Sequence, residues 1–323
     1  MLRRMSTERR EAVTGIIFVN IATLSWATNI ALGRYLRDDI GPLTLTAARY
    51  LFAAAAFYLL LRRAPAAERR PGPDLLPLLA MAATGVVLFA PLLYLGLRYT
   101  TAVNSTMING TGPLLTAVFA AWLIKEPYSR RQLVGALAAL GGVIILISGT
   151  APHGLQQFRP NPGDLIVLTA AAVWGLYSVS SRRATRNRTP LSATALSIYM
   201  GLPVLLVAAL IEQHTIPVVP SLRLLVIVPY LGLVPAAVGF SLWNGGVKKL
   251  GAGGAMVFYN MLPVYGTLLG TLFLGETIGL PHLAGGGLII GGGLLSALQA
   301  FRSNRPVGSS ASGGHHGHAA ESQ

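Results

Sequence analysis

Apolar runs of about 20 residues recur along the whole of this 323-residue sequence, and that is the length an α-helix needs to cross a bilayer. Only 11% of the residues are charged, against roughly 25% in an ordinary soluble domain. The charges therefore leave the apolar runs almost uninterrupted, which excludes an ordinary soluble globular protein. The sequence predicts an all-α membrane protein that crosses the bilayer several times.

Ten such runs are bounded by charged residues or by Gly and Pro clusters. The predicted transmembrane spans are 14–33, 43–61, 74–97, 101–124, 131–150, 163–181, 191–211, 223–247, 252–274 and 280–300. The connections between them are too short to fold as a separate soluble domain. The first run is basic at its start and full span length, so we expect a retained helix rather than a cleaved signal peptide.

The positive charges are distributed unevenly between the connections. The sequence has 25 Lys and Arg against 11 Asp and Glu, a surplus that in a soluble protein would suggest a nucleic-acid partner. With the N-terminus in the cytoplasm, nineteen of these 25 lie on the cytoplasmic side, five lie outside, and only Arg49 lies within a span. This bias predicts a multi-pass protein of the cytoplasmic membrane with both termini cytoplasmic, and no nucleic-acid partner.

The two halves of the chain repeat a pattern. Pro113, Glu126 and Gly135 recur as Pro263, Glu276 and Gly285, each 150 residues later. Gly15 and Trp26 recur as Gly163 and Trp174 at an offset of 148. The pattern predicts two five-helix halves, 11–150 and 159–302. The low-complexity composition after Arg305 predicts a disordered cytoplasmic tail, 303–323.

An odd number of helices in each half predicts that the second half enters the membrane from the opposite side. The basic loop 62–70 falls inside, whereas its counterpart near 212–221 carries Glu212 and His214 and falls outside. Inverted repeats of this kind are common in secondary transporters, because two similar halves can expose one central site alternately to each side. The predicted fold is thus ten transmembrane helices arranged as two inverted five-helix repeats.

The doubled passage at matched spacing resembles the EamA-type drug/metabolite transporter superfamily. The features are Pro113 leading into KEPYSRRQLVGALAALGG, Pro263 leading into GETIGLPHLAGGGLIIGGG, and Arg49-Tyr50 in the second span. The resemblance covers residues 11–302 and implies a ten-helix exporter of small metabolites, often amino acids or related compounds. It does not imply which compound is the substrate.

Arg49 is the charged residue that most needs an explanation, because a charge within a span is costly. It lies six residues inside the predicted outer end of the second span. The side chain either snorkels to the surface or pairs with a helix-end carbonyl, or it binds a substrate carboxylate.

Other candidate substrate-binding residues are polar or aromatic and lie near the middle of their spans. Trp26 and Asn29 share one face of the first span, and Trp174 and Tyr177 share the equivalent face of the sixth. Asn109 of the fourth span corresponds to Tyr259 of the ninth, which is followed by Asn260. Such residues either form hydrogen bonds between helices or line a substrate cavity.

Pro113 and Pro263 are expected to kink their helices at matching depths, as hinges that free backbone carbonyls for a central site. Neighbouring helices are expected to approach closely along the Gly-rich fifth and tenth spans, within the chain or across a homodimer. For Glu126 and Glu276 we expect structural roles, fixing the turn that follows each helix.

No His, Cys, Asp or Glu lies in the middle of a predicted span, which argues against an intramembrane enzyme and leaves ion coupling open. No cofactor or metal site is predicted, and the tail histidines His315, His316 and His318 are not expected to form one. The predicted function is a secondary transporter that exports a small amphiphilic or zwitterionic metabolite, such as an amino acid, by alternating access. The alternatives are an importer or uncoupled facilitator of a metabolite or drug and, from another class, an enzyme or a scaffold.

Overall fold

A computed structural model describes residues 7–125, 129–149 and 160–303. Within these ranges all regular secondary structure is helical, and eight helices are long and apolar enough to cross a membrane. A further apolar helix, Leu280–Leu295, is shorter. The prediction of an all-α protein with several membrane spans is therefore confirmed. Glu126, the connection 151–159 and residues 304–323 of the predicted tail lie outside the described residues.

The α-helices of the described ranges are numbered here in chain order. They are α1 Thr7–Tyr35, α2 Pro42–Leu61, α3 Ala66–Arg69, α4 Leu75–Met81, α5 Ala90–Tyr99, α6 Ala102–Asn109, α7 Gly112–Leu123, α8 Arg130–Gly149, α9 Pro162–Ala184, α10 Pro190–Glu212, α11 Leu222–Leu231, α12 Gly239–Tyr259, α13 Leu262–Leu274 and α14 Leu280–Ser303. The third predicted span is longer than expected, because helical structure runs almost continuously over Ala66–Tyr99.

The third and eighth predicted spans each contain a π-helical segment. One segment, Ala82–Phe89, joins α4 to α5, and the other, Gly232–Val238, joins α11 to α12. The two segments begin 150 residues apart, the same offset that relates Pro113 to Pro263. Because π-helical segments are rare, their recurrence at this offset supports a repeated structural unit.

The fourth and ninth predicted spans are interrupted rather than simply kinked. The chain leaves α6 after Asn109 and begins α7 at Gly112, so Pro113 lies in the first turn of α7, where no backbone hydrogen bond is lost. In the second half, α12 ends at Tyr259 and α13 begins at Leu262, with Pro263 in its first turn. The fourth span is thus two helices of 8 and 12 residues, and it is not among the eight long apolar spans.

The eighth and ninth predicted spans meet at a glycine. Gly251 has a φ of 73° and a ψ of 161° within α12, a conformation that a residue with a Cβ rarely adopts. The helix axis changes direction there, so α12 supplies the end of one span and the beginning of the next.

Equivalent helices of the two halves pack against each other. α8 lies along α14, and α2 lies along α10. α1 packs on α12 and α13, while its counterpart α9 packs on α5 and α7. Each of these contacts made by a helix of one half therefore has an equivalent in the other half. The interior of the helix bundle lies between the two halves.

The closest of these contacts is between the Gly-rich helices α8 and α14. A Cβ on Gly142 would lie 2.5 Å from the carbonyl oxygen of Gly285, and a Cβ on Gly285 would lie 2.6 Å from that of Gly142. Glycine thus lets the two backbones touch, as in other membrane helix pairs. The sequence pattern allows close approach either within the chain or across a homodimer. The contact between α8 and α14 is within the chain.

Many large apolar side chains on the outer surface face away from the bundle. Trp122, Phe273 and Leu225 are each about three-quarters exposed. In water such surface would drive aggregation, whereas lipid chains solvate it without cost. The outer surface thus agrees with the sequence-based assignment to a membrane.

Candidate functional site

A cavity lies between helices of the two halves. It has a volume of ≈ 70 Å³, several times the space that one water molecule requires. Its walls are mostly apolar and aromatic, with three polar side chains, Asn29, Arg49 and Asn109. The lining residues are Trp26, Asn29, Ile30, Arg49, Tyr50, Phe89, Leu93, Asn109, Trp174, Pro235, Ala236, Phe240, Tyr259 and Leu262. We call this space the inner cavity.

Arg49 is buried at the inner cavity, with 6% of its surface exposed. Its Nη1 donates a hydrogen bond to Asn29 Oδ1 at 3.2 Å, and Tyr94 donates its hydroxyl proton to the same oxygen at 2.7 Å. The guanidinium carbon lies 4.4 Å from the ring centre of Tyr50 and 5.4 Å from that of Tyr94. The snorkelling alternative is therefore wrong, because the side chain points into the bundle.

No carboxylate among the described residues lies within salt-bridge distance of Arg49. Its Nε is buried and has no hydrogen-bond partner there. Amide and aromatic groups offset part of the cost of burying a guanidinium, but none of them carries a full negative charge. The inner cavity therefore has a net positive electrostatic character.

Five aromatic side chains form a continuous group beside the inner cavity, which we call the aromatic layer: Trp26, Trp174, Phe240, Trp243 and Tyr259. The ring centre of Trp26 lies 5.6 Å from that of Phe240, 5.2 Å from that of Trp243 and 6.0 Å from that of Tyr259. Trp174 lies 6.3 Å from Phe240. Trp26 Nε1 also donates to the carbonyl oxygen of Pro235 at 3.1 Å, which ties α1 to the second π-helical segment.

A second, larger space lies on the other side of the aromatic layer. This space, which we call the vestibule, has a volume of ≈ 270 Å³ and shares Trp26, Trp174, Phe240 and Tyr259 with the inner cavity. Its remaining walls are more polar and belong to the end of the bundle where α9 ends and α10 begins. They are Pro113, Thr116, Tyr177, Ser178, Ser181, Arg182, Thr185, Pro190, Thr194, Trp243, Asn244, Val247 and Met256.

At the opposite end of the bundle, carboxylates tie together helices that are distant in sequence. Glu212, at the end of α10, accepts hydrogen bonds from the backbone N–H groups of Leu43 (3.1 Å) and Thr44 (2.8 Å) at the start of α2. Glu276 accepts from the N–H groups of Ala102 (2.8 Å) and Val103 (2.9 Å) at the start of α6. A carboxylate at a helix N-terminus stabilises the free donors and the helix dipole. We call this end the tied end.

Glu276 therefore has a structural role, as expected, but it stabilises a different helix from the one predicted. The sequence predicted that it would fix the turn next to its own helix, whereas its carboxylate reaches the N-terminus of α6. Asp164, which is fully buried, adds to the same ties by accepting hydrogen bonds from the Thr100 hydroxyl and the Asn104 amide. Asn104 is in turn bonded to His282 at 3.0 Å.

Most of the sequence-predicted site residues lie at the two spaces. Trp26, Asn29, Arg49, Asn109, Trp174 and Tyr259 line the inner cavity, and Tyr177 lines the vestibule and stacks on Trp174 with a centroid distance of 4.7 Å. Asn260 lines neither space. Its Nδ2 donates to Met256 O at 3.0 Å, and its side chain lies against Gly293 of α14.

Several lining residues were not predicted from the sequence. Tyr50, Phe89 and Phe240 complete the inner cavity, and Ser178 and Ser181 line the vestibule. The two serines follow Trp174 on one face of α9, at positions four and seven residues later, so a helical-wheel reading would have detected them. Tyr50 and Phe240 have no such signal, because an aromatic side chain within a span is also compatible with core packing or with a position at the membrane interface.

The described residues contain no group of three or more His, Asp or Glu side chains placed to hold a metal ion. The tail histidines lie outside the described ranges. The arrangement is thus suited to binding a small molecule between apolar walls, with polar contacts at Arg49 and the two asparagines.

Comparison with known proteins places these features in a family context. The family model described as "EamA-like transporter family" matches residues 13–148 and again residues 161–298. The uncharacterized transporter YyaM of Bacillus subtilis (strain 168) is 28% identical over 272 residues, which cover 82% of this chain and 88% of YyaM. A probable terminal-alkyne amino-acid exporter of Streptantibioticus cattleyicolor is 26% identical over 278 residues, covering 85% of this chain and 90% of that protein. A protein of known crystal structure superposes with a TM-score of 0.63 at 25% identity, over 91% of this chain and 99% of the other.

Proposed function

Because this chain belongs to the EamA-like transporter family, we propose that it is a secondary carrier that exports a small metabolite across the cytoplasmic membrane by alternating access. The substrate would be an amino acid or a related amphiphilic compound. One relative is named as a probable amino-acid exporter, which is in line with this direction and class.

The observation that carries the proposal is the position of the inner cavity between the two family matches. Trp26, Arg49 and Asn109 come from the first match, whereas Trp174 and Tyr259 come from the second. A site shared by two similar halves is the arrangement that alternating access requires, because a movement of one half against the other changes which side the site faces. Neither an enzyme nor a scaffold needs such a site.

We further propose that the ten predicted spans form two inverted repeats. The support comes from irregularities that recur at an offset of 150 residues. The π-helical segments begin at Ala82 and Gly232, and the interruptions follow Asn109 and Tyr259. With the orientation predicted from Lys and Arg, the vestibule faces the cytoplasm and the tied end faces outward.

In that orientation the described conformation is inward-facing. A substrate would enter the vestibule from the cytoplasm, pass the aromatic layer and reach Arg49. The ties of Glu212 and Glu276 would have to loosen for release to the outside. Pro113 and Pro263 lie in the first turn of the helices that follow the two interruptions, and we propose these interruptions as the hinges.

Transport by the purified protein in liposomes tests this function. We expect at least one solute from a panel of amino acids, sugars and cationic drugs to move, in assays run with and without a pH gradient. We expect Trp26→Ala to lower the rate at least tenfold, since this ring belongs to both spaces. Trp122→Ala is the matched control, because Trp122 is exposed on the outer surface and touches neither space. A panel in which no solute moves, or equal rates for Trp26→Ala and Trp122→Ala, would contradict the proposal.

A further inference from the structure

The unpaired charge of Arg49 bears on the chemistry of the substrate. A buried guanidinium is costly unless an anion neutralises it. The side chains that hydrogen-bond to Arg49 among the described residues, Asn29 and Tyr50, are both uncharged. We propose, resting on the carrier function above but narrowing its substrate class to the anionic relatives of amino acids, that the transported substrate is an organic monoanion, a carboxylate attached to an apolar body. Arg49 supplies the positive charge that accompanies it across the middle of the membrane.

The walls of both spaces favour an anion over a zwitterion. No Asp or Glu is among the described residues that line the inner cavity or the vestibule. The ammonium group of an amino acid would therefore meet only amide oxygens and ring faces, which bind a cation more weakly than a carboxylate does. A cationic substrate would in addition be repelled by Arg49.

The surroundings of Arg49 also define the rest of the substrate. Beside the guanidinium the inner cavity presents Ile30, Leu93 and Leu262 together with the aromatic layer. A guanidinium binds a carboxylate through two parallel hydrogen bonds, while these side chains would remove an apolar body from water. The arrangement suits an acyl or aryl carboxylate better than a polar sugar or a dianion.

A net negative charge also supplies the driving force for export. In a cell whose interior is negative, moving one negative charge outward is favourable by about 2.3 kcal/mol per 100 mV, which equals a roughly 50-fold concentration ratio. Such a carrier needs no coupling ion. No described residue that lines either space is acidic, which agrees with this, because proton or sodium coupling in carriers commonly uses an intramembrane carboxylate.

Four compounds with one body and different charges test the substrate class. They are N-acetylleucine (anion), leucine (zwitterion), leucinamide (cation) and N-acetylleucinamide (neutral), each loaded into liposomes containing the protein. Potassium gradients with valinomycin set the membrane potential. We expect efflux of N-acetylleucine to be the fastest of the four, to increase when the interior is negative and to decrease when it is positive.

Variants of Arg49 test the role of the charge. We expect Arg49→Gln to lower N-acetylleucine efflux at least tenfold and Arg49→Lys to restore part of it. Arg63→Gln, which removes one exposed charge just beyond the end of the same helix, should leave efflux unchanged. Size-exclusion chromatography and the thermal midpoint of each variant show whether the protein is still folded.

The results separate this inference from the carrier function itself. The monoanion inference is overturned if leucine moves and N-acetylleucine does not. It is also overturned if the rate of N-acetylleucine efflux does not change with the membrane potential. In both cases the carrier function stands. Undiminished efflux in folded Arg49→Gln overturns it as well. If none of the four compounds moves, the monoanion inference fails as stated, and the wider solute panel decides on the carrier function.

Discussion

At the scale of single residues, some buried charged side chains have a partner that satisfies them and others do not. Arg49 has no anionic partner among the described residues, whereas Glu212 is fully engaged by the first turn of α2. Sequence reasoning identified Arg49 because a charge within a span stands out. It could not assign Glu212, which lies at a span end and resembles any loop acid, because its partners are 168 and 169 residues away in sequence.

Removing the carboxylate of Glu212 is expected to destabilise the protein. Glu212→Ala would leave the N–H groups of Leu43 and Thr44 and the Thr44 hydroxyl without their acceptor, at a cost of about 1–3 kcal/mol. Glu212→Gln keeps one acceptor oxygen and should cost less. Thermal midpoints in detergent measure both, and Asp38→Ala, which removes an exposed carboxylate at the same end of the bundle, is the control. Equal midpoints for Glu212→Ala and Asp38→Ala would show that this tie contributes nothing.

At the scale of helices, the contact between α8 and α14 depends on which face each glycine occupies. The Gly-rich pattern predicted close approach, and this is confirmed. It did not separate the glycines that make the contact from those that face away, because the glycines of α14 form two runs of three, 285–287 and 291–293, and each run covers several faces of the helix. Gly285 touches α8, whereas no atom lies within 4 Å of a Cβ built on Gly287.

Two substitutions of similar size in α14 should therefore have opposite effects. Gly285→Ala places a methyl group against the α8 backbone and should lower stability by about 1–3 kcal/mol. Gly287→Ala meets open space and should be neutral or stabilising by up to about 1 kcal/mol, since alanine favours helix more than glycine does. The difference in thermal midpoint between the two variants is the measurement. A lower midpoint for Gly287→Ala than for Gly285→Ala would contradict the packing of these helices.

At the scale of the whole molecule, the proposed inversion of the two halves makes a prediction about topology. Arg63 and Gln213 are exposed and lie 150 residues apart, at the same place in each half. An inverted repeat puts them on opposite sides of the membrane, whereas a parallel repeat puts them on the same side. The natural chain has no cysteine, so single cysteines can be introduced without removing others.

Labelling with a membrane-impermeant maleimide tests this topology. In intact cells we expect Gln213→Cys to react and Arg63→Cys to remain unlabelled, with the reverse in inside-out vesicles. Ser181→Cys, in the vestibule, should behave like Arg63→Cys because the vestibule is predicted to face the cytoplasm. Labelling of Arg63→Cys and Gln213→Cys from the same side would refute the inverted arrangement.

The sequence by itself determined the helical membrane class, the repeated halves, and six of the residues that line the inner cavity. These follow from local rules, because apolar length, charge bias and helical spacing act on residues close together in the chain. Only the tertiary structure decided that Arg49 lies inside with no acidic partner in the described ranges, that Asn260 packs on α14, and that Glu276 caps α6. These depend on contacts between helices far apart in sequence. No local pattern encodes which of many similar apolar faces will meet.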